Sequence, residues 1–182
     1  PSVFDAIYSD IMDFIFMRIG LEKPKEYDEI VKSFVSIKKK DDESLMDELG
    51  EKLNEKGIDF DYRPFIEKLR KVHMVVDHSR TVLFMLNDGI VPSNTKAGYL
   101  ARLMIRRMFK VLEDLGIENS MKEIMEMQRK KFSRMLDESM FPVILDMLSV
   151  EWERYRETKE KGISIIDKVL KKGEIGLNML ID

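Results

Sequence analysis

The stretch DGIVPSNTKAGYLARLMIRRMFKVLEDLG, residues 88–116, decides the fold class. It opens on Pro92-Ser93-Asn94-Thr95, four turn and capping residues whose side-chain oxygens can accept from the free backbone N–H groups at a helix start. Apolar residues then recur every three or four positions until Gly116, a residue suited to ending a helix. Leu100, Met104, Met108, Val111 and Leu115 are expected to form the buried stripe. That leaves Arg102, Arg106 and Lys110, four apart, as a row of cations on another face. By residue type alone Asn94 is a helix N-cap, and the cationic row is a set of partners for acids elsewhere in the chain.

The same periodicity extends in both directions. Val3, Phe4, Ile7, Ile11, Phe14 and Ile15 form one stripe, and Leu45, Leu49 and Leu53 another. Lys38-Lys39-Lys40 followed by Asp41-Asp42-Glu43 puts bases after one helix and acids at the start of the next, as helix dipoles favour. Gly57 closes that second helix. Asp59-Phe60-Asp61 with Pro64 opens a long one running through Val72, Val75, Val76, Leu83 and Leu86 to Gly89. Ser120 and Glu123 have capping-box spacing, and a last helix is expected from about Ser149 through Trp152 and Tyr155 to Lys171, ending before Gly173. No stretch alternates long enough to be a strand, so the fold class is all-α, a helical bundle-like domain over residues 1–182.

Composition narrows the function classes. The chain has 182 residues, 44% of them hydrophobic, enough for one core. No apolar run approaches the ~18 residues needed to span a bilayer. The first residues, PSVFDAIYSDIMDFIF, carry acids where a secretion signal carries lysines. No membrane role and a cytoplasmic location are expected. Cysteine is absent, which removes disulfides, thiolate zinc sites and a cysteine nucleophile. His73 and His78 are five apart, so they do not share a helix face, and no third ligand completes a zinc set. The 14 methionines read as adaptable core filler. The net charge is −3, yet residues 63–110 hold ten bases against three acids. Such segregation is the footprint of phosphate contact, or else a solvated helix face.

The order of residues is more specific than their types. Asp77-His78-Ser79-Arg80, then Asp88-Gly89-Ile90-Val91-Pro92-Ser93-Asn94, then Gly98-Tyr99, Arg102 and Ile105-Arg106-Arg107 resemble the signature of alanyl-tRNA synthetases. DGIVPSNTKAGYLARLMIRR is similar to the archaeal form of the tRNA-recognition region that follows the class II catalytic core. Pro1 to Ala6 resembles the family's segment after its third class II motif, and Thr158 to Leu170 its helix near the end of the region. Leu180-Ile181-Asp182 resembles the start of the closing turn motif. Residues 20–62 match no motif and are expected to be a lineage-specific elaboration.

The resemblance implies a function. Such enzymes join alanine to tRNA(Ala) using ATP, and they recognise a G·U wobble pair in the acceptor stem. In that pair the guanine 2-amino group takes no part in pairing and faces the shallow minor groove. By the family's pattern Asn94 and Asp182 would contact the base pair. Lys96, Tyr99, Arg102, Arg106 and Arg107 would contact the tRNA backbone, and Asp77, Arg80 and Asp88 would form structural ion pairs. No catalytic residue and no cofactor is expected in this segment. ATP and Mg are implied for the parent's catalytic core and Zn for its editing domain, both partners within the same chain. The segment carries neither set of motifs and is expected to be inactive alone. The alternatives are a helical protein-interaction module and a non-specific RNA-binding domain.

Overall fold

The computed structural model describes residues 3–38 and 41–178, with side-chain detail to residue 170. Asp182 lies outside the described residues. Seven α-helices and no strand are present among them: α1 Val3–Arg18, α2 Tyr27–Ser36, α3 Asp42–Glu55, α4 Tyr62–Asn87, α5 Lys96–Asp114, α6 Met121–Phe132 and α7 Phe141–Asn178. The all-α reading holds.

α4 is the central post, because it is apolar on a face wide enough to meet several neighbours. Phe65, Ile66, Leu69, Val72, Val75, Val76, Val82, Leu83 and Leu86 are all buried, one or two per turn. α1, α5, α6 and α7 pack around it. A polar peg fixes α6: Gln128, fully buried, donates from Nε2 to the Val76 carbonyl and to Ser79 Oγ, each at 2.9 Å. α2 and α3 pair with each other and lean on the start of α4. There Tyr27 and Phe60 both meet Phe65 edge-on, and Arg63 and Arg70 reach Asp47 and Asp42. Residues 20–62 are thus two helices folded into the same core.

Several boundaries differ from the sequence reading. Val3 and Ile7 are exposed, because α1 has non-helical backbone at Tyr8 and its inner face shifts to Tyr8, Ile11, Met12, Ile15 and Phe16. Ser120 makes no capping hydrogen bond, since it ends a short 3-10 turn that leads into α6. α7 begins eight residues earlier than expected and runs through Gly173 to Asn178. Its opening signal was present in Pro142, which suits the first turn of a helix, followed by the buried pair Ile144 and Leu148.

His73 illustrates how the core sets a pH limit. Its ring stacks on Phe4 at 4.4 Å, and its Nε2 is buried without a hydrogen-bond partner. Burial pushes its pKa down, with Asp5 opposing weakly. Above about pH 6.5 both folded and unfolded chains hold a neutral ring; below it the unfolded chain protonates first, so stability falls until the folded ring also titrates. Between about pH 7.5 and 5.5 the melting temperature of the wild-type chain is therefore expected to drop more than that of His73→Phe, which keeps the stack and cannot titrate. Parallel pH profiles for the two proteins would remove His73 from this role.

Candidate nucleic-acid interface

The loop joining α4 to α5 is built by local rules. Gly89 takes φ +82°, the left-handed conformation that ends α4, with Ile90 N–H reaching the Met85 carbonyl at 3.1 Å. The chain then folds over the first turn of the next helix: Ser93 N–H donates to the Gly98 carbonyl at 3.0 Å, and Ser93 Oγ donates to the Thr95 carbonyl at 3.2 Å. This closure needs Gly98. A Cβ there would stand 2.1 Å from Ser93 Oγ and 2.5 Å from the Val91 carbonyl oxygen. Lys96, the first residue of α5, sits at φ +49°, a conformation that costs a side-chain-bearing residue ~1–2 kcal/mol.

The tight first turn rotates α5 relative to the expected stripe. Leu100 is 51% exposed and Met104 half-buried; the inner face is Gly98, Ala101, Ile105, Met108, Phe109, Val111 and Leu112, so Met108 and Val111 of the expected stripe are buried. Small residues stand at the front of that face because the loop leaves no room for leucine. The cationic row consequently does not stay on one surface. Arg102 turns into the α5–α7 interface, Arg106 is half-buried with its Nε shielded, and Lys110 pairs with Asp114 at 3.3 Å.

Arg102 is the hub of the site. Its Nε donates to Glu151 Oε2 at 3.0 Å and its Nη2 to Glu151 Oε1 at 2.8 Å, a fork-on-fork pair in which Glu151 is 2% exposed. Its Nη2 also reaches the Pro92 carbonyl at 3.3 Å, and its Nη1 donates to Asn94 Oδ1. Asn94 is therefore not the N-cap that its type favours; Thr95 holds that position and makes no side-chain cap. The Asn94 side chain is exposed, with its acceptor oxygen turned inward onto Arg102. A planar amide so held presents its two Nδ2 hydrogens outward. Burial pushes the Glu151 carboxyl up in pKa, and the guanidiniums of Arg102 and Arg154 outweigh it, leaving the group below the usual carboxylate range.

Below this hub α5 and α7 are riveted by aromatics. Phe109 is fully buried and meets Trp152 edge-on at 4.9 Å. Tyr155 donates to Glu113 Oε2 at 2.8 Å, and Lys159 reaches the same oxygen at 2.8 Å. Burial and the Glu113 contact push the Tyr155 hydroxyl up to about 12.

The basic segment divides once folded. Arg63, Arg70, Lys71 and Arg80 pair with Asp47, Asp42, Asp114 and Asp77, so much of its charge is balanced within the chain. The Asp77–Arg80 pair lies along the surface of α4. Lys96 and Arg107 are exposed and unpaired among the described residues, and Tyr99 stands between them, 56% exposed. Asn94, just before α5, is exposed as well. Arg102 differs from them, because its donors are spent on Glu151, Pro92 and Asn94.

Glu151 was not singled out from sequence. The signal was its place at the i+7 position from Ile144 and i+3 from Leu148, on the inner stripe of α7. An acid there requires a partner. Among the described residues no three His, Cys, Asp or Glu side chains converge as a metal site, and no helix is long and apolar enough to cross a membrane.

A family model described as tRNA synthetases class II (A) matches residues 4–180. An alanine–tRNA ligase of Methanosarcina barkeri is 37% identical over 180 residues, covering 92% of this chain and 19% of that protein. Those of Archaeoglobus fulgidus and Thermoplasma acidophilum are 35% and 29% identical, over 94% and 100% of this chain and 20% and 21% of theirs. The chain thus spans about one fifth of the length of these relatives.

Proposed function

Because this chain belongs to the alanyl-tRNA synthetase family, we propose that it binds the acceptor stem of tRNA(Ala) and reads its G·U wobble pair through Asn94. The supporting observation is the Asn94 amide: exposed, anchored by its oxygen to Arg102, and followed along α5 by the exposed Lys96, Tyr99 and Arg107. In the wide minor groove of an A-form stem such a donor reaches base acceptors, while unpaired cations meet the phosphates that set register. Asp182 would supply the complementary acceptor for the guanine 2-amino group. Arg106, with its Nε shielded, would meet the backbone only through its outer nitrogens. Arg102 takes a different role from the one its motif implies, holding the reading residue in place.

On this reading the ligation of alanine, its ATP and Mg, and an editing Zn belong to other parts of a longer cytoplasmic parent, to which this segment delivers the stem. The segment alone forms no aminoacyl-tRNA.

The test is direct titration of an acceptor-stem hairpin over a range of salt. Each phosphate contact contributes roughly 0.7–0.9 to the slope of log affinity against log salt. Lys96→Ala with Arg107→Ala is expected to lower that slope by about 1.5 and to weaken G·U and G·C hairpins alike. An unchanged slope would place the phosphate contacts elsewhere, and no binding by the wild-type chain would favour a protein-interaction module.

A further inference from the structure

We propose that Glu151, on α7, is a specificity-determining positioning residue: acting through Arg102, it fixes which edge of the Asn94 amide faces the RNA. The proposal rests on the base-reading role of Asn94 and deepens it.

An asparagine amide offers a donor on one side and an acceptor on the other, and a turn of about 180° exchanges them. On an exposed loop nothing in Asn94 itself chooses between the two. The choice is made by Arg102, whose Nη1 can only donate and so holds Oδ1 inward. Arg102 in turn owes its orientation to Glu151. The carboxylate engages Nε and Nη2 together, which fixes the guanidinium plane and leaves Nη1 pointing at the loop. The Pro92 carbonyl takes a further bond from the same plane, so loop backbone and Asn94 side chain are located by one group.

Burial makes the arrangement stiff. Glu151 is 2% exposed and Arg102 16% exposed, so each charge, once separated from the other, would be left largely without water to solvate it. A solvated arginine at position 102 could swing outward to a phosphate and release Asn94. The buried acid forbids this. Arg154, 56% exposed, also binds Glu151 Oε1, but it makes no hydrogen bond to the loop among the described residues and gives a control on the same carboxylate.

The experiment measures binding of wild-type and variant chains to two acceptor-stem hairpins that differ only in a G·U or G·C pair, with circular dichroism melts alongside. Glu151→Gln keeps the size and one acceptor oxygen and loses the charge-assisted fork. It is expected to reduce the preference for G·U roughly tenfold while changing G·C affinity by less than about threefold. In the Asn94→Ala background it is expected to change the preference no further, and Arg154→Gln is expected to leave it intact. Should Glu151→Gln not fold, Arg102→Lys, which keeps the charge and loses the fork, carries the same expectation. Equal weakening of both hairpins with the ratio preserved would overturn the proposal, because a merely structural role predicts that result. If Asn94→Ala itself retains the preference, the base-reading role fails. If Asn94→Ala loses it while Glu151→Gln and Arg102→Lys keep it, only the positioning role fails.

Discussion

Asn94→Ala is expected to cut the preference for G·U, with a loss of about 1–3 kcal/mol on the G·U hairpin alone. The asymmetry follows from what the side chain touches. Its oxygen is bound to Arg102 within the protein, so the donor nitrogen is the group left without a bond inside the chain. In a wobble pair the uracil is displaced towards the major groove, so minor-groove acceptors do not lie where a G·C pair puts them. A donor fixed in space bonds one arrangement and misses the other. Truncation removes that bond but none of the phosphate contacts, so the G·C hairpin is expected to bind as before. Asn94→Asp sharpens the point. It retains an oxygen for Arg102 and loses the donor, and the same loss of preference is expected. Titration of both hairpins with both variants checks this, and a preference surviving in either variant would take the donor role from Asn94.

Gly98→Ala is the second large effect, and its sign decides between two readings of the residue. As an unconstrained helical glycine, Gly98 replaced by alanine should gain up to about 1 kcal/mol from helix propensity. As the point where the loop closes on α5, it should lose. The added Cβ would lie 2.5 Å from a backbone carbonyl oxygen and 2.1 Å from Ser93 Oγ, so the segment from Val91 to Ser93 has to retreat. Overpacking of this kind costs about 1–3 kcal/mol, which outweighs the propensity gain. A drop in melting temperature of about 5 °C is expected for a chain of this size. Displacement of the loop also carries Asn94 away from Arg102, so the G·U preference is expected to fall with it. A rise in melting temperature with the preference intact would show that the closure carries no weight.

The helices were largely legible because the apolar period was strong over α4 and α5, and because glycines marked their ends. What was misread has physical causes. Leu100 was assigned inward because it stands one helical turn before Met104; with the loop folded over the first turn of α5, the small residues Gly98 and Ala101 lie inside and Leu100 is exposed. The start of α7 was placed at Ser149 although Pro142 already marked its first turn and Ile144 and Leu148 its stripe.

At the site, Asn94, Lys96, Tyr99 and Arg107 were singled out through the order of residues rather than through any spacing rule, and all four side chains are exposed. Arg102 was grouped with them because a row of arginines four apart looks uniform in sequence. Its partner lies 49 residues away on α7, and no local pattern discloses a contact at that separation. The charge count over residues 63–110 had the same weakness. It could not show that Asp42, Asp47 and Asp114 fold back against Arg70, Arg63 and Lys71.

The most direct test of the account is the affinity of the wild-type chain for two acceptor-stem hairpins, identical but for one G·U or G·C pair, at one moderate salt concentration. A preference for G·U of about tenfold is the result predicted for a fixed amide donor reading the minor groove. Equal affinity for the two hairpins would contradict it and leave α5 as a phosphate-binding surface without base recognition.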